Sequence, residues 1–361
     1  MTPIVLASTF AQRAPGEHAG FEYGRSGNPT RNALEACVAA LEGARHGFAF
    51  ASGLGASSTV LTLLRSGEHV VCGDDVYGGT FRLMDKVMAP LGIRSTRVDM
   101  SDPARVREAI TKDTKLIWLE TPTNPMLKIF DVEAIARIGR EAGALTLVDN
   151  TFATPVLQRP LDLGADLALH SATKYLNGHS DVVGGVIATN NEAFAERLRF
   201  QQNALGAVPS PFDCYMVLRG LKTLHLRVGR SCSSARVIAE RLAKTPGVSK
   251  VYYPGLENHV GHTIAKRQMK DFGAMISFVV DGGLPRARAF LASLEIFACA
   301  ESLGGVESLA EHPAIMTHAS VPPENRQALG IDDGLVRLSI GVESLDDVWS
   351  DIARALAAKP I

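Results

Sequence analysis

The chain has almost no excess of charge of either sign. Its 361 residues include 37 lysines and arginines against 38 aspartates and glutamates, which gives a formal net charge of −1. Proteins that bind nucleic acid usually carry a basic excess or basic runs, so no nucleic-acid partner is expected. The balance favours a small ligand that is uncharged overall, or a second copy of the chain, as the partner.

Cysteine is scarce as well. The five cysteines are odd in number and never form a C-x-x-C pair; they are Cys37, Cys72, Cys214, Cys232 and Cys299. A disulfide framework or a zinc cluster is therefore not expected, and a reducing compartment is favoured.

Signals for export or membrane insertion are also missing. The opening residues Met1–Leu6 lack the basic and apolar segments of a signal peptide. No stretch reaches the ~18 consecutive apolar residues that a membrane span needs. We therefore expect a soluble, cytoplasmic protein with no membrane partner.

The sequence is rich in apolar residues. Hydrophobic residues make up 46% of the chain and charged residues 21%, which excludes a disordered protein. At about 150 residues per domain, the length predicts two or three domains. A chain of this length buries roughly three quarters of its unfolded surface, so it needs no disulfide or metal to fold.

Short apolar runs alternate with helical patterns between residues 47 and 190. Runs typical of strands lie at His69–Cys72, Leu116–Leu119, Leu145–Val148, Leu167–Leu169 and Val186–Ala188. This alternation predicts an α/β fold with a mostly parallel sheet that is buried on both faces. Several runs end in polar or turn residues, and ligands of open α/β sheets bind beyond the carboxyl ends of the strands. We expect the functional site there.

The pattern changes after a long helical region at Pro211–Ala243. Strands predicted at Val248–Tyr253, Ala274–Val280 and Leu335–Val342 lie around helices predicted at Pro285–Ser293 and Leu345–Leu356. This arrangement is typical of a smaller α+β domain. We predict an N-terminal arm over residues 1–25, a large domain over 26–225 and a small C-terminal domain over 226–361.

A glycine-containing segment, Ser52–Ser58 (SGLGASS), follows an apolar run and opens a helical pattern. Small residues at such a turn let a helix N-terminus present backbone N–H groups to a phosphate. The segment nearly matches G-x-G-x-x-G, and Asp74 follows Gly53 by about 20 residues, so a nicotinamide oxidoreductase stays open. A turn that serves only packing is the other interpretation.

Two further patterns carry less chemistry. Ser171–Lys174 matches the S-x-x-K signature of serine-acylating enzymes, but the companion motifs fail at Ser180–Val182 and Lys222–Leu224. A serine hydrolase is therefore not favoured. The pair His259 and His262 lacks a carboxylate at metal-ligand spacing, so no metal is expected.

Lys174 and Asp149 allow another interpretation, because each follows a predicted strand. A lysine amine can form a Schiff base with pyridoxal phosphate (PLP), and a carboxylate beside the pyridine nitrogen lets the ring act as an electron sink. Taken singly, Asp149 is equally a turn residue and Lys174 a surface charge. Together with a phosphate loop at Gly53–Leu54, they favour a PLP site.

Longer motifs carry a resemblance that spans essentially the whole chain. The chain resembles the PLP-dependent trans-sulfuration (Cys/Met metabolism) enzymes at Tyr23–Arg31 (YGRSGNPTR), Glu120–Pro125 (ETPTNP), Val148–Phe152 (VDNTF), Ser171–Asp181 (SATKYLNGHSD) and Ala300–Leu309 (AESLGGVESL). The resemblance implies an aspartate-aminotransferase-type large domain and a homotetramer of tight dimers. The chain begins where the middle of the family's N-terminal arm is expected.

The resemblance also implies roles for individual residues around the cofactor. Lys174 matches the lysine that binds PLP covalently, Asp149 the partner of the pyridine nitrogen, and Tyr77 the aromatic residue stacked on the ring and a candidate acid or base. Asn124 matches a residue near the cofactor O3′. The matching phosphate ligands are Gly53, Leu54, Ser171 and Thr173, with Tyr23 and Arg25 reaching the phosphate of the neighbouring subunit.

The substrate side is implied in the same way. Arg337 matches the guanidinium that binds the substrate α-carboxylate, and Ser302 matches a residue beside it. Arg82 and Glu301 lie where a distal amino-acid group would bind, which suits cystathionine. Methionine γ-lyases resemble one another in carrying cysteine where this chain has Gly79, which disfavours that activity.

The expected reaction is γ-elimination of cystathionine to cysteine, 2-oxobutanoate and ammonia. The stretch Ser302–Ser320, which includes Glu311–Ser320 (EHPAIMTHAS), resembles the cystathionine γ-lyases of the family most closely. Cystathionine γ-synthase, which joins an O-acylhomoserine to cysteine, shares nearly all of these residues and is the alternative. O-acylhomoserine sulfhydrylase and a non-catalytic PLP-binding regulator are further alternatives.

Overall fold

The computed structural model describes residues 2–317 and 323–358. Residues 318–320 of the stretch Ser302–Ser320 lie outside the described residues. So do Met1 of the predicted arm and residues 359–361 of the predicted small domain.

A seven-stranded sheet forms the larger part of the molecule. Its strands are β1 (His46–Phe50), β2 (His69–Gly73), β3 (Arg94–Val98), β4 (Thr114–Glu120), β5 (Leu145–Asp149), β6 (Leu167–Ser171) and β7 (Gly185–Thr189). The strand order is β1-β7-β6-β5-β4-β2-β3. Strands β2 to β6 run parallel, and β7 pairs antiparallel with both β6 and β1. The predicted α/β class with a mostly parallel sheet is confirmed.

Side chains of the central strands explain the continuous apolar runs. On β4, Leu116 and Trp118 belong to one buried cluster, and Ile117 and Leu119 belong to another. Successive residues of a strand point to opposite faces, so a sheet covered on both sides makes every position of the strand apolar. The edge strand β3 (RSTRV) is only partly buried and has no such apolar run. For this reason the sequence does not predict β3.

Helices accompany the strands of the large sheet, and the last of them contacts the second sheet, which is described below. They are α1 (Pro29–Glu42), α2 (Gly53–Leu61), α3 (Gly78–Arg82), α4 (Pro103–Ala109), α5 (Val132–Ala142), α6 (Thr154–Leu157), α7 (Glu192–Leu205), α8 (Pro211–Leu221) and α9 (Leu224–Leu242). A π-helical segment at Leu83–Met88 continues α3, and short 3₁₀ turns lie at Ala89–Leu91, Pro160–Leu163 and Pro313–Ile315. The N-terminus of α1 shows how local sequence determines where a helix begins. The Asn28 side chain accepts hydrogen bonds from the N–H groups of Thr30 and Arg31, and Pro29 occupies the first turn.

The predicted helical region at Pro211–Ala243 is two helices, α8 and α9, rather than one. Arg227 stabilises the break, because its guanidinium donates to the Gly220 carbonyl at the end of α8 and to the Tyr175 carbonyl. The predicted domain boundary near residue 225 falls at the start of α9. The division into an arm and two domains stays a prediction.

A second, five-stranded sheet follows. Its strands are β8 (Val248–Tyr252), β9 (Met275–Val280), β10 (Ala298–Cys299), β11 (Leu309–Glu311) and β12 (Leu335–Ser339), in the order β10-β11-β12-β9-β8. The helices of this part are α10 (His262–Gln268), α11 (Gly283–Ala292), α12 (Pro323–Ala328) and α13 (Leu345–Ala357). The three predicted strands are present. Strands β10 and β11 were missed because two or three residues are too few to show alternation.

Candidate active site

A cavity of about 280 Å³ opens at the carboxyl ends of β4, β5 and β6. The three strands deliver Glu120, Asp149 and Ser171 to this edge, with Glu120 directly opposite Asp149 in the register. Most of the predicted site residues line the cavity, namely Gly53, Leu54, Tyr77, Asn124, Asp149, Ser171, Thr173, Lys174, Ser302 and Arg337. The expectation that the site lies beyond the strand ends agrees with this cavity.

The N-terminus of α2 forms one end of the cavity. The Ser52 hydroxyl caps the helix by accepting from the Gly55 N–H at 2.9 Å, so the N–H groups of Gly53 and Leu54 have no partner inside the helix. A Cβ added at Gly53 would lie 3.1 Å from Ser171 Cβ and 3.3 Å from its Oγ. The backbone therefore comes close to a serine hydroxyl where two N–H groups end a helix, which suits an anion such as phosphate.

Two predicted groups of this region have other contacts. The Thr173 hydroxyl bonds to both the N–H and the carbonyl of Gly184, at 3.0 and 3.3 Å. Asp74, on which the dinucleotide interpretation depends, forms an ion pair with Lys128 at 2.8 Å and does not line the cavity. Asp74 therefore gives a nicotinamide cofactor no support.

Lys174 follows β6 and points its amine into the cavity. Its Nζ donates to Ser302 Oγ at 2.8 Å. Burial, and after it the positive charge of Arg337, lower the pKa of Lys174 to about 8. Ser302 is held at φ +90, a conformation that non-glycine residues rarely adopt. Lys174 thus carries an amine that loses its proton close to neutral pH.

Asp149 and Glu120 form a buried pair of carboxylates. Asp149 accepts hydrogen bonds from the Thr151 N–H at 3.1 Å and the Thr151 hydroxyl at 2.5 Å. Burial raises the pKa of Glu120 well above its usual range, and the negative charge of Asp149 raises it further. Burial also raises the pKa of Asp149, but the two Thr151 hydrogen bonds oppose this effect. Glu120 is therefore the partner that binds a proton more tightly, and Asp149 the one that ionises more readily.

Tyr77 covers the outer side of the cavity and is 41% exposed. Its N–H donates to Glu120 Oε2 at 2.8 Å. Its ring lies over Gly79, where an added Cβ would come within 2.3 Å of Tyr77 Cε1. A side chain at position 79 would therefore displace the ring.

Arg82 and Glu301 lie outside the cavity lining but act on the Tyr77 phenol. Burial raises the pKa of Tyr77, the Arg82 charge lowers it and the Glu301 charge raises it. Glu301 lines an adjoining cavity that shares Thr173 and Ser302 with the first. Both charges therefore act close to the Tyr77 phenol, and their contact with a substrate stays a prediction.

Arg337 lies on β12 and is 2% exposed. Its Nη1 donates to Asn124 Oδ1 and Glu311 Oε1, both at 2.8 Å, and its Nη2 donates to the Ser302 carbonyl at 2.7 Å. Its buried Nε has no hydrogen-bond partner among the described residues. A guanidinium with an unused N–H at a cavity wall is suited to bind a carboxylate.

Tyr23 and Arg25 do not line the cavity of the chain that carries them. Both are exposed, and the Arg25 guanidinium lies 5.5 Å from the centre of the Tyr23 ring. Their contact with a neighbouring subunit stays a prediction.

Several residues of the site were not predicted, chiefly Glu120, Thr151, Glu311 and Thr317. Glu120 and Thr151 stand inside the motifs ETPTNP and VDNTF, so a signal was present. A polar network behind the strand ends gave no such signal. It joins Glu42 to His170 and Asn150, and Asn150 to Gln158. These side chains come from separate elements, so only the fold brings them together.

The residues present fit PLP. A phosphate site at α2, a charged carboxylate at Asp149 and an amine at Lys174 line one cavity, and these are the groups that the cofactor needs. Among the residues that the structure describes, none form a cluster able to hold a metal ion. Within the same residues, no helix has the length and apolar character needed to cross a membrane.

Comparison with known proteins gives the same family throughout. The family model described as "Cys/Met metabolism PLP-dependent enzyme" matches residues 1–357. A cystathionine β-lyase of Coxiella burnetii is 54% identical over 99% of this chain and 92% of the relative. A cystathionine γ-lyase of Bos taurus is 53% identical over 99% of this chain and 88% of the relative.

A solved structure agrees with these relatives. The cystathionine γ-synthase of Xanthomonas oryzae pv. oryzae, in complex with aminoacrylate and cysteine, superposes with a TM-score of 0.96. It is 46% identical and covers 98% of this chain and 92% of the solved chain. The chain therefore belongs to the Cys/Met metabolism family of PLP-dependent enzymes, and PLP is its cofactor.

Proposed function

We propose that the protein cleaves cystathionine by γ-elimination, giving cysteine, 2-oxobutanoate and ammonia with the uptake of one water. The observation that carries the proposal is the pair of opposite charges, Arg82 and Glu301, near the outer Tyr77 phenol. Cystathionine carries a second amino-acid group at its far end, with one ammonium and one carboxylate. Glu301 suits that ammonium and Arg82 that carboxylate.

The other end of the substrate binds at Arg337. Among the described residues, three N–H groups of the guanidinium are bonded to protein, which leaves the buried Nε–H and one N–H of Nη2 for a ligand. These two donors match the two oxygens of the α-carboxylate. Asn124 and Ser302 hold the guanidinium in place for this contact.

Bound PLP supplies an electron sink that stabilises negative charge at the substrate α-carbon. Lys174 removes the α-proton, since its pKa of about 8 leaves part of the amine unprotonated at neutral pH. Asp149, which accepts two hydrogen bonds from Thr151, would face the pyridine nitrogen. Gly53 and Leu54 would bind the phosphate with their N–H groups, together with the Ser171 hydroxyl, and the Thr173 hydroxyl would join them by turning away from the Gly184 carbonyl.

The second half of the reaction breaks the bond between the γ-carbon and sulfur. A β-proton leaves, the C–S bond electrons go to sulfur, and the departing thiolate takes a proton from Tyr77 or Lys174. Both groups lie on the cavity wall. Hydrolysis of the remaining four-carbon enamine then gives 2-oxobutanoate and ammonia.

Cystathionine γ-synthase is the second candidate. The solved γ-synthase named above is 46% identical over 98% of this chain, and the two reactions differ only in the group that occupies the γ-carbon. A synthase would use Lys174, Asp149 and Arg337 in the same roles, with cysteine attacking in place of leaving.

A product assay on the purified, PLP-loaded protein separates these activities. With cystathionine, γ-cleavage gives 2-oxobutanoate and cysteine, and β-cleavage gives pyruvate and homocysteine. With an O-acylhomoserine and cysteine, a synthase gives cystathionine. We expect 2-oxobutanoate as the main product; pyruvate as the main keto acid, or faster cystathionine synthesis than cleavage, would contradict the proposal.

The assembly we propose is a homotetramer with sites shared across each tight dimer. It is supported by the exposure of Tyr23 and Arg25, which lie away from their own cavity. Lys174→Ala and Arg25→Ala chains expressed together should recover activity, since one site of a mixed dimer contains both intact residues. No recovery in mixed particles would mean that Arg25 serves its own chain.

A further inference from the structure

Glu311 contacts Arg337 without lining the cavity. The two residues are direct cross-strand partners on β11 and β12. Glu311 Oε1 lies 2.8 Å from Arg337 Nη1, and the two side chains are only 1% and 2% exposed. The Thr317 hydroxyl donates to the same Oε1 at 2.8 Å. The carboxylate is thus held on one edge of the guanidinium, away from solvent.

The five N–H groups of the Arg337 guanidinium fall into those that are bonded to protein and those that are not. Both N–H groups of Nη1 are used, one by Asn124 and one by Glu311. One N–H of Nη2 is used by the Ser302 carbonyl, and Nε is buried without a partner among the described residues. The donors that are left are Nε–H and one N–H of Nη2. Two N–H donors of one guanidinium can bind the two oxygens of a carboxylate.

We propose that Glu311 is a positioning residue, which holds Nη1 so that Arg337 keeps its remaining N–H donors directed at the substrate α-carboxylate. Without this acceptor, Nη1 would keep an unused buried N–H and the guanidinium could turn another edge toward the ligand. The inference rests on the proposed role of Arg337 in binding the α-carboxylate. It does not depend on which substrate bond is cleaved.

A second way for Glu311 to act would be through its charge alone. Burial lowers the pKa of Arg337, and the Glu311 carboxylate opposes that effect. The positioning role and the charge role predict opposite results for two substitutions of Glu311. Glu311→Gln keeps an acceptor of the same length but removes the charge, and Glu311→Asp keeps the charge but withdraws the acceptor by one methylene.

Binding of two small amines to the PLP-loaded enzyme tests the proposal without turnover. Glycine carries an amine and a carboxylate, and methylamine carries the amine alone. Their dissociation constants are measured from the change in the visible absorbance of the cofactor. We expect Glu311→Asp to weaken glycine about tenfold, as for the loss of a charge-assisted hydrogen bond. Glu311→Gln should stay within about threefold of the unchanged enzyme, and methylamine binding should not change in either variant.

Each other result contradicts the proposal in a recognisable way. Normal glycine binding in Glu311→Asp with weak binding in Glu311→Gln would assign the effect to charge. Equal losses for glycine and methylamine would assign a general structural role. If Glu311→Asp does not fold, the test rests on Glu311→Gln alone. Weak glycine binding by that variant would contradict the positioning role of Glu311. The role of Arg337 itself fails if the unchanged enzyme and Arg337→Lys both bind glycine no better than methylamine.

Discussion

The inner and outer halves of the site differ in how firmly the protein holds them. In the inner half, Arg337 and Asp149 are buried and each accepts or donates several hydrogen bonds within the chain. In the outer half, Tyr77 is 41% exposed, and Arg82 and Glu301 are exposed. Fixed, desolvated groups suit chemistry that is the same for every substrate, since preorganisation lowers its barrier. Exposed groups suit the choice among substrates.

This difference explains why similar chains carry different names. A β-lyase, a γ-lyase and a γ-synthase all match this chain over nearly its whole length. Their reactions share removal of the α-proton and binding of an amino-acid head group. We infer that the inner half supports all three activities, and that contacts at the outer half separate them.

The strongest test of the inner half is Lys174→Ala. Loss of the amine removes both the covalent attachment of PLP and the base for the α-proton, so turnover should fall by at least ~10³-fold. The visible absorbance of the attached cofactor should disappear with it. Retention of either property would exclude Lys174 from the proposed role.

Arg337→Lys tests the carboxylate end of the inner half. Lysine keeps the charge but loses the two-pronged geometry and the bonds to Asn124 and Ser302. We expect kcat/KM for cystathionine to fall about 10²-fold, which corresponds to about 2–3 kcal/mol for a charged, bidentate contact. A variant with unchanged kcat/KM would place the carboxylate elsewhere.

The pH dependence of the rate tests whether burial tunes the inner half. With a pKa of about 8, the unprotonated fraction of Lys174 grows as the pH rises. The rate of α-proton removal should therefore increase about tenfold between pH 7 and pH 9, measured as solvent exchange of the α-proton of a bound amino acid. A rate that stays flat over this range would separate the base from Lys174.

Glu301→Gln tests the outer half and should have the smallest effect. An exposed charge pair contributes up to about 1 kcal/mol, so kcat/KM for cystathionine should fall about three- to fivefold. O-acylhomoserines lack the distal ammonium, so their kcat/KM should stay the same. Equal losses for both substrates would show that Glu301 does not choose between them.

Part of the fold could be predicted because local hydrophobic patterns in the sequence reflect the burial of individual strands. The apolar runs of β2, β4, β5, β6 and β7 are continuous, since both faces of the sheet are covered. The edge strand β3 and the short strands β10 and β11 lack that pattern. The break between α8 and α9 depends on Arg227 reaching carbonyl groups on other segments, and no local pattern contains that information.

The features of the site likewise fall into those that the sequence predicts and those that it does not. Order along the chain favoured a PLP site at Lys174, Asp149 and the α2 N-terminus, because parallel strands end at one edge of the sheet, and the family resemblance then named it. The protonation of Glu120 beside Asp149 could not be predicted, since it arises from burial and from a neighbour on the next strand.

The sequence by itself determined the family, the cofactor and the residue types that the chemistry needs, because motifs of neighbouring residues carry them. Only the tertiary structure decided which N–H groups of Arg337 are bonded to protein and which of two buried carboxylates binds a proton more tightly. Those properties depend on distances between residues far apart in the chain, such as Asn124, Glu311 and Arg337. Hydrogen bonding and desolvation act through space, so they appear only once the chain has folded.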